Sequence, residues 1–322
     1  MYNYYAYKRV ILHQIFTYNT IYTSMIALIL ATICAALFSI LFKIFKLKNI
    51  DTMPAIIYNY LAATVLSLVF SYNGSNGFVN PVQTDWFYPA IFTGLIFILG
   101  MMVLSVCTIR VGVAISTVSS RVSMIIPILV NYLFIPGSEK PQWIAIIVIL
   151  FAMSLIVWQK RENSGSERGD KSVLDIIIPL SVFVMFGLSN SFLKLVQHSI
   201  SSNSSLSDTS VNQQLSMVTF VIFISAAVMG GVFIIFNKKS KLAMMLKWKN
   251  ILGGIALGAS NFFCTYLLMV AMKSIKTELL FPLHNIGIVA IGVIAGWGFY
   301  HEKMKPHQIV GFVIAAIAIC FL

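Results

Sequence analysis

The chain has 322 residues, of which 59% are hydrophobic and only 10% are charged, and its mean hydropathy is +0.89. A soluble domain carries about 25% charged residues, so this composition excludes an ordinary water-soluble fold. The net charge of +12 comes mostly from short Lys and Arg clusters between apolar runs. Such clusters set membrane orientation and do not indicate a nucleic-acid partner.

The first 24 residues are more polar than the rest of the chain. They are rich in tyrosine and include Lys8 and Arg9, and Met25 opens the first apolar run directly. There is no small-residue cleavage site after them, so a cleavable signal peptide is not predicted. Residues 1–24 are interpreted either as an N-terminal tail at the membrane interface or as an upstream extension.

The apolar runs after residue 24 are each about 20 residues long, the length needed to cross a ~30 Å hydrocarbon core. Strict apolar–polar alternation is missing, which favours helices over a barrel. The sequence therefore predicts an all-α polytopic membrane protein with ten transmembrane helices. The predicted spans are residues 25–45, 53–72, 86–109, 111–134, 141–159, 173–195, 213–236, 250–272, 276–299 and 305–322.

The chain contains an internal repeat. Residues 110–140 align without gaps on residues 273–303, which places Arg121 on His284 and Glu139 on Glu302. The matching charged positions carry this alignment, since apolar letters match easily by chance.

A charged linker, residues 160–172, separates five predicted spans from the next five. Five is odd, so the second half must enter the membrane from the opposite side. Residues 25–159 and 173–322 are therefore predicted to be inverted five-helix repeats, the arrangement of many secondary transporters.

Loop charge predicts the orientation. Fifteen Lys and Arg residues lie in the loops on one side of the predicted topology and five on the other. The positive-inside rule places the richer side in the cytoplasm and both termini outside.

Three stretches carry a resemblance to a known family. They are SSRVSMIIPIL followed by GSEKPQWIAI, then LLFPLHNIGIVAIGVIAGWGFYHEKMKPHQIVG, and the first-span exit FKIFKLKNIDTMPAIIYNY. From about residue 25 to the end the chain resembles the drug/metabolite transporter superfamily, specifically its ten-span EamA-type members. The resemblance implies ten helices, an inverted repeat, a central cavity and carriage of small polar or amphipathic metabolites. Several family members are described with cytoplasmic termini, which the loop charges of this chain argue against.

Arg121 is the most informative single residue, because it lies near the middle of the fourth predicted span. A central Arg is unfavourable in lipid by at least ~2.5–3.5 kcal/mol, so it must face a cavity or a partner. We expect it to contact the substrate. The alternative is a structural role in which backbone carbonyls of a broken helix hold the guanidinium.

His284 is the repeat-mate of Arg121, and Asn285 lies beside it. Both are predicted to face the same space as Arg121, with a satisfied structural histidine and proton coupling left as alternatives. No Asp or Glu lies deep in a predicted span. The intramembrane charge is therefore basic, which favours an anionic or zwitterionic substrate.

Further polar residues within apolar spans complete the predicted substrate-binding set. Asn190 and Asn261 are alternatively interhelical hydrogen-bonding residues. The additional members of the set are Thr117, Asn190, Asn261, Tyr266 and Asn59.

These observations predict a secondary transporter for a small polar or amphipathic metabolite, working by alternating access in a bacterial inner membrane. The alternative is a non-transporting or scramblase-like component of lipid or polysaccharide assembly. No catalytic motif or metal-ligand spacing is present, so neither an enzyme nor a cofactor is predicted. The expected partners are the substrate and the lipid bilayer, and a homodimer is left open.

Overall fold

The computed structural model describes residues 2–72, 80–111, 113–138, 140–157, 173–201, 208–236, 246–300 and 306–321, and these ranges contain helices and turns but no strand. A short 3₁₀ turn, Pro81–Gln83, precedes the third helix. The helices are α1 (Tyr2–Lys48), α2 (Thr52–Ser71), α3 (Phe87–Arg110), α4 (Val113–Val122), α5 (Ile125–Phe134), α6 (Trp143–Val157), α7 (Leu174–Ser201), α8 (Asp208–Phe236), α9 (Trp248–Ala271), α10 (Thr277–Tyr300) and α11 (Pro306–Ile319).

The helices have the length and surface of membrane spans. Within the described ranges, eight apolar helical stretches are long enough to cross a membrane, one of them made of α4 and α5 together, while α6 and α11 are shorter apolar helices. Large apolar side chains point outward, among them Ile144 at 83% and Val69 at 64% exposure. An apolar surface of this extent is unfavourable in water and is solvated by lipid. The chain is therefore a polytopic integral membrane protein, and the number of crossings stays a prediction.

The predicted spans match the helices closely, with two differences. Residues 2–24, interpreted from sequence as a tail, continue the helix of the first span without a break. The fourth predicted span is two short helices, α4 and α5, instead of one. The linker 160–172, Glu139 and Glu302 lie outside the described residues.

Pro127 explains why the fourth span is interrupted. Proline lacks the N–H that would bond to the carbonyl of residue 123, and its ring clashes with that carbonyl. In the structure, the backbone N–H of Ile126 donates to the Ser123 carbonyl at 3.0 Å, which tightens the chain into a turn at Ser123 and Met124. Pro282 lies inside α10, which nevertheless continues from Thr277 to Tyr300.

Close helix crossings hold the bundle together through small residues. On α9, a Cβ atom added to Gly258 would meet the carbonyl oxygen of Asn59 on α2 at 2.5 Å. On α3, a Cβ atom added to Gly94 would collide with the carbonyl oxygen of Ile222 on α8. In membranes, such backbone-to-backbone approach takes the place of the hydrophobic driving force between helices.

One end of the bundle carries ion pairs. Arg110 at the end of α3 lies 2.9 Å from Asp175 at the start of α7, and Lys247 lies 3.1 Å from Asp51 in the α1–α2 turn. The buried Asn250 side chain also donates to Asp51 at 3.1 Å. The hydrogen bond from Asn250, then that from Lys247, lowers the pKa of the Asp51 carboxyl below its ordinary value. We call this group of five residues the ion-paired end.

The other end is tied by buried amides. The Nδ2 atom of Asn131 on α5 donates to Glu278 at 3.4 Å, and the Thr277 hydroxyl donates to the Oδ1 atom of Asn131 at 3.0 Å. All three side chains are at most 9% exposed. Glu278 lies in the first turn of α10, where the helix dipole favours a negative charge.

A half-buried lysine completes this end. The Nζ atom of Lys194 donates to Gln197 at 3.1 Å and to the Met272 carbonyl at 3.2 Å. Lys194 lies about 28 Å along α7 from Asp175, so this end is opposite the ion-paired end. The amide end is defined by Asn131, Lys194, Gln197, Thr277 and Glu278.

Candidate functional site

A cavity of about 210 Å³ lies between α1, α2, α3, α4, α7, α9 and α10. At about 30 Å³ per molecule of liquid water, this is room for roughly seven waters or a small metabolite. Part of the wall is apolar, formed by aromatic and methionine side chains on several helices. The apolar residues include Phe38, Phe42, Phe97, Met101, Met185, Phe186 and Phe281.

Arg121 supplies the positive charge of this cavity. It is the penultimate residue of α4, directly before the turn caused by Pro127. Its Nη1 atom donates to the Oδ1 atom of Asn285 on α10 at 3.3 Å. Its Nε atom is buried and has no hydrogen-bond partner. The guanidinium therefore has unused donor capacity.

Asn285 is held so that it presents oxygen to Arg121. Its Nδ2 atom donates to the Phe281 carbonyl one turn earlier at 2.9 Å, which leaves Oδ1 as the acceptor. Among the described residues that line the cavity there is no Asp or Glu. Within the described part of the chain, Arg121 is thus contacted by a neutral side chain, not by a carboxylate or by the carbonyls that the alternative interpretation required.

His284 lines the same cavity and is bonded to α1. Its Nδ1 atom lies 3.0 Å from the hydroxyl oxygen of Thr32, and both side chains are 7% exposed. Gly287, one turn further along α10, faces the same threonine: a Cβ atom at this position would lie 2.6 Å from Thr32 Cγ2. The glycine therefore allows α1 to approach α10 closely enough for this contact.

Asn261 and Asn59 form an interhelical pair. The Nδ2 atom of Asn261 on α9 donates to the Oδ1 atom of Asn59 on α2 at 3.2 Å, and Asn261 also lines the cavity. The interhelical bond that the sequence left open for Asn261 is present. Asn59 is fully buried, does not line the cavity, and its Nδ2 atom has no partner.

Tyr60 adds a further buried polar group beside the cavity. The side chain is fully buried and lines the cavity, and its hydroxyl has no hydrogen-bond partner. A buried polar group without a partner is unfavourable by about 1–3 kcal/mol, so such groups are rare unless a ligand or a water molecule forms the missing hydrogen bond. The Tyr60 hydroxyl and the Arg121 Nε atom are both buried polar groups without a partner.

The structure brings together five of the eight residues predicted to bind substrate. Arg121, His284, Asn285, Asn190 and Asn261 line the cavity. Whether they bind a substrate stays a prediction.

The other three predicted residues, Thr117, Asn59 and Tyr266, are not among its lining residues. Tyr266 stacks on Phe262 with ring centroids 5.8 Å apart, and Phe70 of α2 lies 6.4 Å from it. Its ring therefore belongs to the packing between α2 and α9.

Sequence reasoning missed the contributions of α1 and α3 to the site. Thr32 and Phe38 on α1 and Met101 on α3 could not be recognised from the sequence. An apolar residue or a single threonine in a span gives the same sequence pattern whether it faces lipid or the cavity. Within the described residues, no group of three or more His, Cys, Asp or Glu side chains is placed to hold a metal ion.

Comparison with known proteins shows what this chain is similar to in sequence and in fold. No family model matches the chain. A protein of Haemophilus influenzae, described as uncharacterized, is 24% identical over 302 residues, covering 91% of this chain and 95% of its own. One solved structure, described only as the crystal structure of a protein, has a TM-score of 0.63 at 9% identity, covering 92% of this chain and 95% of that chain. At this identity, the likeness shows the fold alone.

Proposed function

We propose that this protein is a secondary transporter that carries a small anionic or zwitterionic amphipathic metabolite across a bacterial inner membrane by alternating access. The observation that carries the proposal is the cavity with Arg121 in its wall. Arg121 has a buried Nε atom without a partner, and no carboxylate is among the described residues that line the cavity, so the guanidinium lacks a counter-charge there. A substrate carboxylate or phosphate would supply one.

The wall composition supports an amphipathic substrate. Phenylalanine and methionine side chains would cover an apolar body, while Arg121, Asn190 and His284 would contact a polar head. Ligand sites commonly combine an apolar lining with a few placed polar groups.

The helix contacts support two inverted repeats. Gly94 on α3 meets Ile222 and Ser225 on α8, and Gly258 on α9 meets Asn59 and Ala62 on α2. Asn59 and Ala62 precede Ile222 and Ser225 by the same number of residues that separates the aligned repeat segments. Gly94 and Gly258 match this spacing to within one residue, so the third helix of each proposed half meets the second helix of the other half at nearly the same point.

The direction of the central pair favours inversion over a simple rotation about the membrane normal. α2 and α8 would be equivalent helices in the two halves. Gln213 at the start of α8 bonds to the Ser71 carbonyl at the end of α2, and Phe223 further along α8 packs on Tyr60. The two helices thus run antiparallel, as an axis in the membrane plane requires.

The interruption between α4 and α5 also fits a transporter. Discontinuous helices near the middle of the membrane place free helix ends at the substrate sites of several carriers. Here the interruption directly follows Arg121, which lies beside the cavity.

We further propose that the chain belongs to the EamA-type members of the drug/metabolite transporter superfamily, with ten spans and with the ion-paired end in the cytoplasm. The motif order and the proposed repeat support the family, and the loop charges support the orientation. A scramblase-like or accessory role would suit a cavity in which Arg121 is fully satisfied by the protein, and its free Nε atom argues against that.

The proposal is tested by identifying the substrate and then removing the charge. Metabolite profiling of a deletion strain against an overexpressing strain gives the transported compound, whose uptake is then measured in proteoliposomes. Arg121→Ala should lower uptake at least about tenfold, because a hydrogen bond between charged groups is lost. Arg121→Lys should retain part of the activity if charge alone is needed and little if a bidentate guanidinium is required.

Lys140→Ala is the matched control, since it removes an exposed positive charge outside the cavity. It should transport like the wild type. Normal uptake by Arg121→Ala, or a cationic substrate, would overturn the proposal.

A further inference from the structure

The contact between His284 and Thr32 determines which ring nitrogen carries the proton. The Thr32 hydroxyl has a single hydrogen, and it is donated to the Leu28 carbonyl at 2.7 Å within α1. The Thr32 oxygen can therefore only accept at the 3.0 Å contact with His284 Nδ1. Nδ1 must carry the hydrogen in that contact.

The other ring nitrogen is left for the cavity. In a neutral imidazole, one nitrogen is a donor and the other an acceptor, so Nε2 is an acceptor when Nδ1 is protonated. His284 lines the cavity, and the described lining residues include no carboxylate to compensate a second positive charge beside Arg121. The ring thus offers a lone pair, not a proton, to a bound molecule.

The cavity wall therefore has two kinds of polar group next to each other. Arg121 is a hydrogen-bond donor, and His284 Nε2 is an acceptor. Arg121 and His284 are neighbours because the guanidinium bonds to Asn285, the residue that follows the histidine. A ligand that satisfies both must carry an anionic group with a hydrogen-bond donor close to it.

We propose that Thr32 is a positioning residue that fixes His284 as the Nδ1–H tautomer, so that the cavity selects amphipathic carboxylates with a hydroxyl or ammonium donor on the neighbouring carbon. This inference rests on the proposed transport function for the ligand class. The role of Thr32 itself depends only on the contact geometry, which is made possible by Gly287.

The tautomer is measured directly by ¹⁵N NMR of histidine-labelled protein in detergent micelles. The chain has five histidines, and the His284 signals are assigned by their loss in His284→Asn. The wild type and Thr32→Ser should show a protonated Nδ1 and an unprotonated Nε2. Thr32→Val, which keeps the side-chain shape but cannot accept, should lose this preference.

Gly287→Ala is an independent second variant. Its added methyl group would meet Thr32 Cγ2 and push α1 away, so it should also lose the Nδ1–H preference with the Thr32 hydroxyl intact. An Nε2–H tautomer or a doubly protonated ring in the wild type would overturn the proposal. The same tautomer in Thr32→Val as in the wild type would also overturn it.

The ligand class is tested by binding of a matched pair, 2-hydroxy-4-methylpentanoate and 4-methylpentanoate, to the purified protein by calorimetry. The hydroxylated acid should bind about tenfold more tightly, because its hydroxyl can donate to His284. Thr32→Ser should keep this ratio and Thr32→Val should bring it close to one. Equal binding of the two acids by the wild type would overturn the selectivity.

The two measurements separate the failure of this inference from failure of the transport proposal. If neither acid binds while the Nδ1–H tautomer is present, the assignment of an amphipathic carboxylate fails and the role of Thr32 stands. If both acids bind equally and the tautomer is absent, the anion site stands and the role of Thr32 fails.

Discussion

At the ion-paired end, charged side chains meet near the surface, whereas at the amide end hydrogen bonds are buried between helices. Arg110 and Asp175 are 41% and 32% exposed, while Asn131 is 7% and Glu278 9% exposed. Exposed ion pairs contribute about 0–1 kcal/mol because water and salt screen them. Buried groups left without a partner are far more unfavourable.

The difference between the two ends would affect how a carrier of this fold opens. Alternating access requires each end of the bundle to separate in turn. The chemistry of the two ends leads us to expect that the ion-paired end separates with less free energy than the amide end. Variants at the two ends should therefore differ in their effect on stability.

The largest effect is expected for Asn131→Ala at the amide end. This change removes the partner of Glu278 and of the Thr277 hydroxyl in a buried site. Because one partner is a carboxylate, unfolding free energy should fall by about 1.5–3 kcal/mol, measured as a lower melting temperature in detergent. Glu278→Gln in the Asn131→Ala background should recover part of the loss, since a neutral amide loses less than a carboxylate when the Asn131 hydrogen bond is missing. No loss of stability in Asn131→Ala would contradict the importance of this end.

A smaller effect is expected for Arg110→Ala at the ion-paired end. The pair with Asp175 is partly exposed, so the loss should be below about 1 kcal/mol and should shrink further in high salt. The measurement is the melting temperature at low and high ionic strength. A loss as large as that of Asn131→Ala would remove the contrast between the ends.

The smallest effect is expected from titration of Asp51. Hydrogen bonds from Asn250 and Lys247 lower the pKa of the carboxyl in the folded protein below the ~3.9 of an unfolded chain. Its stabilisation is therefore complete above about pH 4 and is lost as the pH falls through the lower, folded pKa. The difference in melting temperature between the wild type and Asp51→Ala should be constant from about pH 7 to about pH 5 and narrow below about pH 4. A difference that grows on acidification would contradict the assigned direction.

Much of the site was predictable because its most unusual residues are conspicuous in an apolar chain. A charged Arg121 in the middle of a span cannot face lipid, and the repeat alignment paired it with His284. The structure places both in one cavity. The interruption at Pro127 was not predicted, and proline chemistry alone does not decide it, because α10 continues through Pro282.

Other members of the site were decided by how each helix is rotated against its neighbours. Asn261 faces the cavity and its partner Asn59 does not, although both are amides in apolar helices. Tyr266 packs among aromatic rings, and Thr32 reaches His284 only because Gly287 lets α1 approach. No pattern in the neighbouring sequence predicts which of these side chains faces the cavity.

The sequence by itself determined the class of protein, the position of nearly every helix and the charge of the cavity. These properties depend on the length of apolar runs and on the unfavourable free energy of a charge in lipid, both of which are local. Only the tertiary structure decided which polar side chains share the cavity, which ends are tied by ion pairs or amides, and which nitrogen of His284 meets α1. Those features depend on helix rotation and close packing between residues far apart in the chain, which a single sequence does not specify.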